Sequence, residues 1–231
     1  MTNKKILIFA PYGRWKVHHQ VDAVLGASLR ERGCDVLALC CDGIFVNCPI
    51  SIQKQFCEEC AEDGVSLFKF FDLPVIQISE FISQQDTRQC IEWLDNIPVE
   101  SLPFAVFDNK ELGKCVSSGI FSFFNISKID LTNKNIIVIY KSMLLNGAYI
   151  TLAYKRILNL FYPDHILCYS CIHAFYRIFF MLAQQNNIPV LCHERGFIND
   201  SFSFLANEHD ALYSGRTEAW QNWKKIPLNK E

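Results

Sequence analysis

The pentapeptide Cys192-His193-Glu194-Arg195-Gly196 stands immediately after the apolar run Ile188–Leu191. Ionisable side chains beyond a buried strand are placed for proton transfer, and His193 or Glu194 can accept a proton from a hydroxyl nucleophile. Arg195 can steady an acidic group or transferred phosphate charge, and Gly196 leaves room for a ligand; a Glu–Arg pair capping the next element is the alternative. A second group follows the first apolar run, in Pro11-Tyr12-Gly13-Arg14-Trp15-Lys16-Val17-His18-His19. Gly13 permits close backbone approach, Arg14 and His18 suit phosphate or sugar hydroxyls, and Trp15 suits a sugar face. The alternative is a loop with a core tryptophan and surface cations. Neither GxGxxG nor GxxxxGK[ST] spacing occurs here, and no GxSxG elbow supports a serine triad. Asp42-Gly43 can bind a hydroxyl or form a plain turn.

Eleven cysteines are many for 231 residues, and the number is odd. The N-terminal apolar run is too short for an export signal, so a disulfide scaffold is not expected. Cys34, Cys90 and Cys192 read as buried fillers. Cys41-x6-Cys48-x8-Cys57-x2-Cys60 instead has four soft ligands within one loop, suited to a structural zinc ion. An iron–sulfur cluster takes the same ligand count, and reduced thiols or disulfides are the alternatives without metal. Cys168-x2-Cys171 reads as packing at a strand-to-helix junction. Tyr169, Ser170 and His173 lie there too and can complete a crevice, with His173 read first as a cap or surface group.

The elements that must position these groups follow from periodicity. Lys4–Ala10 and Cys34–Cys41 read as strands around a helix at Val17–Arg32, whose apolar stripe is Val17, Val21, Val24, Leu25, Ser28 and Leu29. Strand, helix and strand at that length make a βαβ unit with parallel strands. Helices are expected over 50–63, 88–94, 109–122 and within 131–162, and the Phe-rich 104–124 stretch reads as core or as an exposed acceptor-recognition surface, its polar break at Asp108–Lys114 favouring a cap or lid over a simple strand. His165–Tyr169, Cys171–Gln185 and Ile188–Cys192 make a second βαβ unit. The fold class is α/β: an open parallel sheet with helices on both faces. One domain is expected over 1–200, with 201–231 an extension or linker. The composition, 50% hydrophobic with a formal charge of −2, excludes a disordered chain and disfavours nucleic-acid binding. No apolar run reaches eighteen residues, so a cytoplasmic location is expected, with room for a peripheral contact at the inner membrane face.

Taken together, Gly13-Arg14-Trp15 with His18, Cys41-Asp42-Gly43 with Cys48 and Cys57-x2-Cys60, and His193-Glu194-Arg195-Gly196 give the chain a resemblance. It resembles the N-terminal half of a bacterial capsular or cell-surface polysaccharide glycosyltransferase of the two-domain GT-B type. The resemblance implies a Rossmann-like acceptor-side domain, one half of a GT-B architecture. It also implies sugar transfer from a nucleotide-sugar donor to a saccharide or lipid-linked saccharide acceptor. The donor-binding C-terminal domain, absent from this sequence, would then be the partner, and this chain alone would be inactive. A non-catalytic carbohydrate- or partner-binding α/β domain is the alternative.

Overall fold

The computed structural model describes residues 3–48, 56–196, 198–207 and 220–227. Strand β1 (Lys5–Phe9) leads into helix α1 (Lys16–Glu31) and strand β2 (Asp35–Cys40). Helix α2 (Cys57–Phe70), strand β3 (Val75–Gln77) and helices α3 (Gln84–Asp95), α4 (Leu112–Phe124) and α5 (Lys134–Leu160) follow. Strand β4 (His165–Tyr169), helix α6 (Ala174–Gln185) and strands β5 (Val190–Arg195) and β6 (Phe202–Ala206) complete the order. The sheet runs β3-β2-β1-β4-β5-β6, parallel except for the antiparallel pair β5–β6.

Alternation along each strand divides the core between two faces. Ile6 and Ile8 of β1 pack with Val36, Ala38, Ala23 of α1 and Phe68 of α2. Leu7 and Phe9 face the other way, into the larger cluster built by α4, α5 and α6. Phe9 stacks on Phe179 with ring centroids 4.0 Å apart. Both faces are covered, as the continuous apolar runs required. The Phe-rich stretch is core in part: Val116 and Ile120 of α4 are fully buried, while Phe104 and Phe121 are exposed. Helix α5 is long and apolar enough to cross a membrane, yet 67% of its most apolar window is buried inside the fold.

Three boundaries differ from the sequence expectation. The helix expected over 50–63 is observed as α2 at Cys57–Phe70, and residues 50–55 lie outside the described residues. Strand β5 runs on to Arg195, so His193, Glu194 and Arg195 are strand residues, held by pairing with β6. Residues 202–206 pair within the sheet, which therefore extends past residue 200.

One polar junction ties α3 to α5. Asp86 accepts from the Ser83 backbone N–H at 2.7 Å while Ser83 Oγ accepts from Asp86 N–H at 3.1 Å, a capping box. Arg156 of α5 meets the same carboxylate through two nitrogens, each at 2.7 Å. The Arg156 bonds are the main reason that Asp86 sits far below the usual carboxylate range. A depressed carboxyl stabilises the fold above its unfolded pKa and loses that contribution as pH falls. Asp86→Asn should therefore lower stability at pH 7 by about 1–2 kcal/mol, allowing for the solvent that reaches Arg156. Urea unfolding should show the gap narrowing below about pH 4.

Candidate active site

Strands β1 and β4 are neighbours, and the chain leaves β1 in one direction and returns beyond it for β4. A crevice at the carboxyl ends of two such strands is where open α/β sheets seat ligands. Here aromatic rings fill that position. Trp15, at the start of α1, lies against Tyr12, Tyr169, His173 and Tyr176 with centroids 4.7–6.2 Å away. His18, one turn into α1, stacks on Tyr169 at 3.7 Å.

Beneath this cluster, His193 Nε2 is 2.7 Å from Asp22 Oδ1, with both side chains essentially fully buried. Asp22 projects from α1 and His193 from β5, so 171 residues of sequence separate the partners. A carboxylate only accepts, so the bonded imidazole nitrogen, Nε2, is the donor of this contact. His193 Nδ1 is buried without a hydrogen-bond partner among the described residues, as is His18 Nδ1. The ring centroids of His18, His193 and Phe202 form a near-equilateral triangle of 6.1, 6.4 and 6.5 Å. Phe202 also lines a surface cleft of about 480 Å³ with Val17, Arg195, Gly196 and Ser201.

Burial, with smaller contributions from the neighbouring His193, Arg195 and His173, holds His18 down at about 4 from its ordinary 6.5. His18 is therefore a neutral ring at pH 7. Burial also lowers His173, against an opposing pull from Glu194. The Tyr169 hydroxyl is pushed far up by burial and by Glu194, whose carboxylate it hydrogen-bonds. Glu194 Oε1 also accepts from the Arg195 backbone N–H at 2.9 Å.

The structure thus gathers His18, His193 and Glu194 around Tyr169, while other expected site residues are employed elsewhere. Gly13 sits against the backbone of α2, where an added Cβ would lie 2.2 Å from Cys60 O and 2.4 Å from Gly64 N. Its close approach is to a helix. Arg14 pairs with Glu59 of α2 and lies over the Phe56 ring at 4.7 Å. Trp15 packs edge-on and stacked among its aromatic neighbours. Asp42 bonds Ser79 beyond β2, and Gly196 accepts a hairpin role, its N–H donating to Ser201 O at 2.7 Å.

Asp22 was absent from the sequence reading. The expected apolar stripe of α1 is displaced: Val17 and Val24 are exposed, while His18, His19, Asp22, Ala23 and Gly26 face inward. On this face Asp22 bonds His193, His19 Nε2 bonds Gly64 O at 2.9 Å, and His18 stacks on Tyr169. The available signal was a carboxylate four residues after a histidine on one helix, which a hydrophobic pattern passes over.

Cys192 is likewise more than filler: it is disulfide-bonded to Cys171. Cys168 Sγ lies 3.2 Å from Cys171 Sγ, and the three buried sulfurs stand within 4.8 Å of one another, a spacing that can hold a metal ion. Cys41, Cys48, Cys57 and Cys60 line a different, small cavity together with Tyr12.

No family model and no curated protein matches this chain. Among solved structures, it is similar to the tyrosyl-tRNA synthetase of Archaeoglobus fulgidus complexed with L-tyrosine. Identity is 14%, the match covers 81% of this chain and 51% of that one, and the TM-score is 0.40. The chain spans about half the length of that relative, and no substrate follows from so distant a likeness. The glycosyltransferase resemblance is corrected by these findings: no family model or curated protein supports it, and the solved structure named here is a synthetase. With it go the GT-B half-domain reading and the nucleotide-sugar donor. The residues that suggested the family are explained locally, Gly13 by helix packing, Arg14 by an ion pair and Gly196 by a hairpin.

Proposed function

We propose that this chain is an enzyme domain that activates a hydroxyl group or water for attack on a small polar substrate. The proton-handling pair is Asp22–His193. One observation carries the reading: a buried 2.7 Å carboxylate–imidazole pair whose other ring nitrogen has no partner among the described residues, at the ligand-seating end of the sheet. A carboxylate that fixes one imidazole proton leaves the opposite nitrogen oriented as a base. Between the two bases suggested by sequence, His193 is favoured, because Glu194 already accepts from Arg195 N–H and the Tyr169 hydroxyl. Arg195, on the rim of the cleft, suits a substrate bearing an anionic group. A cytoplasmic location and a structural zinc ion complete the proposal.

The test is turnover of p-nitrophenyl acetate and p-nitrophenyl phosphate, which report acyl and phosphoryl transfer to water. His193→Gln should lower kcat on whichever is turned over by about 100-fold or more, with an unchanged circular-dichroism spectrum. Equal rates for the two proteins would defeat the proposal. So would binding without turnover, which points to a non-catalytic domain.

A further inference from the structure

The structural zinc of the preceding section has two cysteine groups from which to choose, and the inference here rests on that reading while assigning its site. We propose that Cys41, Cys48, Cys57 and Cys60 form a tetrahedral zinc site that fastens α2 to the end of β2 and to the loop after β1. These four residues come from three places in the fold. Cys41 follows β2, Cys48 lies in the succeeding loop, and Cys57 and Cys60 open α2 one turn apart.

All four line one cavity, together with Tyr12, Gly43 and Phe45. Its volume is about 10 Å³, roughly the room that one water-sized sphere requires. That is room for a single ion.

Burial raises the Cys41 and Cys60 thiols, and backbone donors offset part of that cost. The Gly43 backbone N–H donates to Cys41 Sγ at 3.3 Å, and the Phe45 backbone also hydrogen-bonds this sulfur. The Gly13 and Arg14 backbones do the same for Cys60. Such donors offset the negative charge of a four-thiolate shell and orient its ligands. Tyr12 adds an independent sign. It is 2% exposed, and its hydroxyl has no hydrogen-bond partner among the described residues. A buried hydroxyl left unpaired is costly, and a metal-bound thiolate on the cavity wall is the acceptor it lacks.

No three of these four sulfurs lie within 4.8 Å of one another, whereas Zn–S bonds of about 2.3 Å place tetrahedral sulfurs about 3.8 Å apart. Binding therefore draws the shell inward, and the contraction pulls the first turn of α2 toward β2. Cys168, Cys171 and Cys192 are the competing group. They offer three ligands to the other's four, and two of the three are already joined as a disulfide. Four thiolates leave no open coordination position, so the ion has a structural role.

The experiment is elemental analysis of the full chain purified without chelator or added metal. The expected result is stoichiometric zinc, lost in Cys57→Ser and in Cys60→Ser but retained in Cys168→Ser. Cobalt(II) exchanged into the wild-type chain should give the intense visible absorption and thiolate charge-transfer bands of a tetrahedral four-sulfur site. That measurement needs no variant to fold. Zinc that survives Cys57→Ser and disappears in Cys168→Ser would overturn the assignment while leaving the structural-zinc reading intact. A chain without bound metal, and without a four-sulfur cobalt spectrum, would overturn both. Stoichiometric iron with labile sulfide would replace the single ion by a cluster.

Discussion

Gly13→Ala is expected to destabilise the chain by about 3 kcal/mol, as much as an overpacked core position, although it adds a single methyl to a loop. The reason is the identity of the atoms it would meet. The new Cβ lies 2.2 Å from Cys60 O, 2.4 Å from Gly64 N and 2.7 Å from Gly64 Cα. All three are backbone atoms of one helix, so no rotamer change relieves the clash. Helix α2 must move as a body away from the β1–α1 loop. Gly33→Ala provides the contrast. Gly33 has φ +85° and an added Cβ would come no nearer than 3.9 Å to Asn3 Oδ1, so the penalty there is the left-handed backbone alone, about 1 kcal/mol. Chemical denaturation of both variants should separate them by about 2 kcal/mol. Equal midpoints would mean that α2 is not seated on Gly13 in solution.

The Gly13 result also bears on what the amino-acid sequence could convey. Apolar runs bounded by turns placed β1, β2 and β4 within a residue or so, because a buried parallel strand leaves a contiguous signature. The paired βαβ patterns implied the parallel order that the sheet adopts. Helix α1 exposes the limit of periodicity. Its inward face carries His18, His19 and Asp22, so burial there follows from hydrogen bonding rather than from hydrophobicity, and the pattern pointed to Val17 and Val24 instead. A partner 171 residues away leaves no local trace. The same holds for Cys171 and Cys192, 21 residues apart and joined only because β4 and β5 are neighbours. Strand β5 was cut short at Cys192 for a related reason: His193 and Glu194 are polar, yet buried beneath Tyr169, α1 and β6. Cys41, Cys48, Cys57 and Cys60 are the opposite case. Their spacing is local, and the structure places them around one cavity.

Asp22→Ala should cost about 3 kcal/mol, because it leaves a fully buried imidazole with neither nitrogen satisfied. The loss has two sources that a second substitution separates. Asp22→Asn keeps the volume and offers an amide oxygen that can still accept from His193 Nε2–H at the 2.7 Å contact. Its stability should therefore return most of the way to wild type. The amide cannot supply the negative charge that steadies an imidazolium as His193 takes up a proton. Turnover should consequently stay low in Asp22→Asn, by about 100-fold, even though the fold is restored. Asparagine can also present its N–H₂ group to the ring, which would invert the tautomer and place the proton on Nδ1, removing the base by another route. Urea unfolding and kcat measured on the same two proteins give the split. Recovery of both stability and turnover in Asp22→Asn would make the carboxylate a packing element only. Loss of stability in both variants would show that its charge is needed to keep His193 buried. The acid–base reading requires the third pattern: stability restored by the amide, and turnover restored only by the acid.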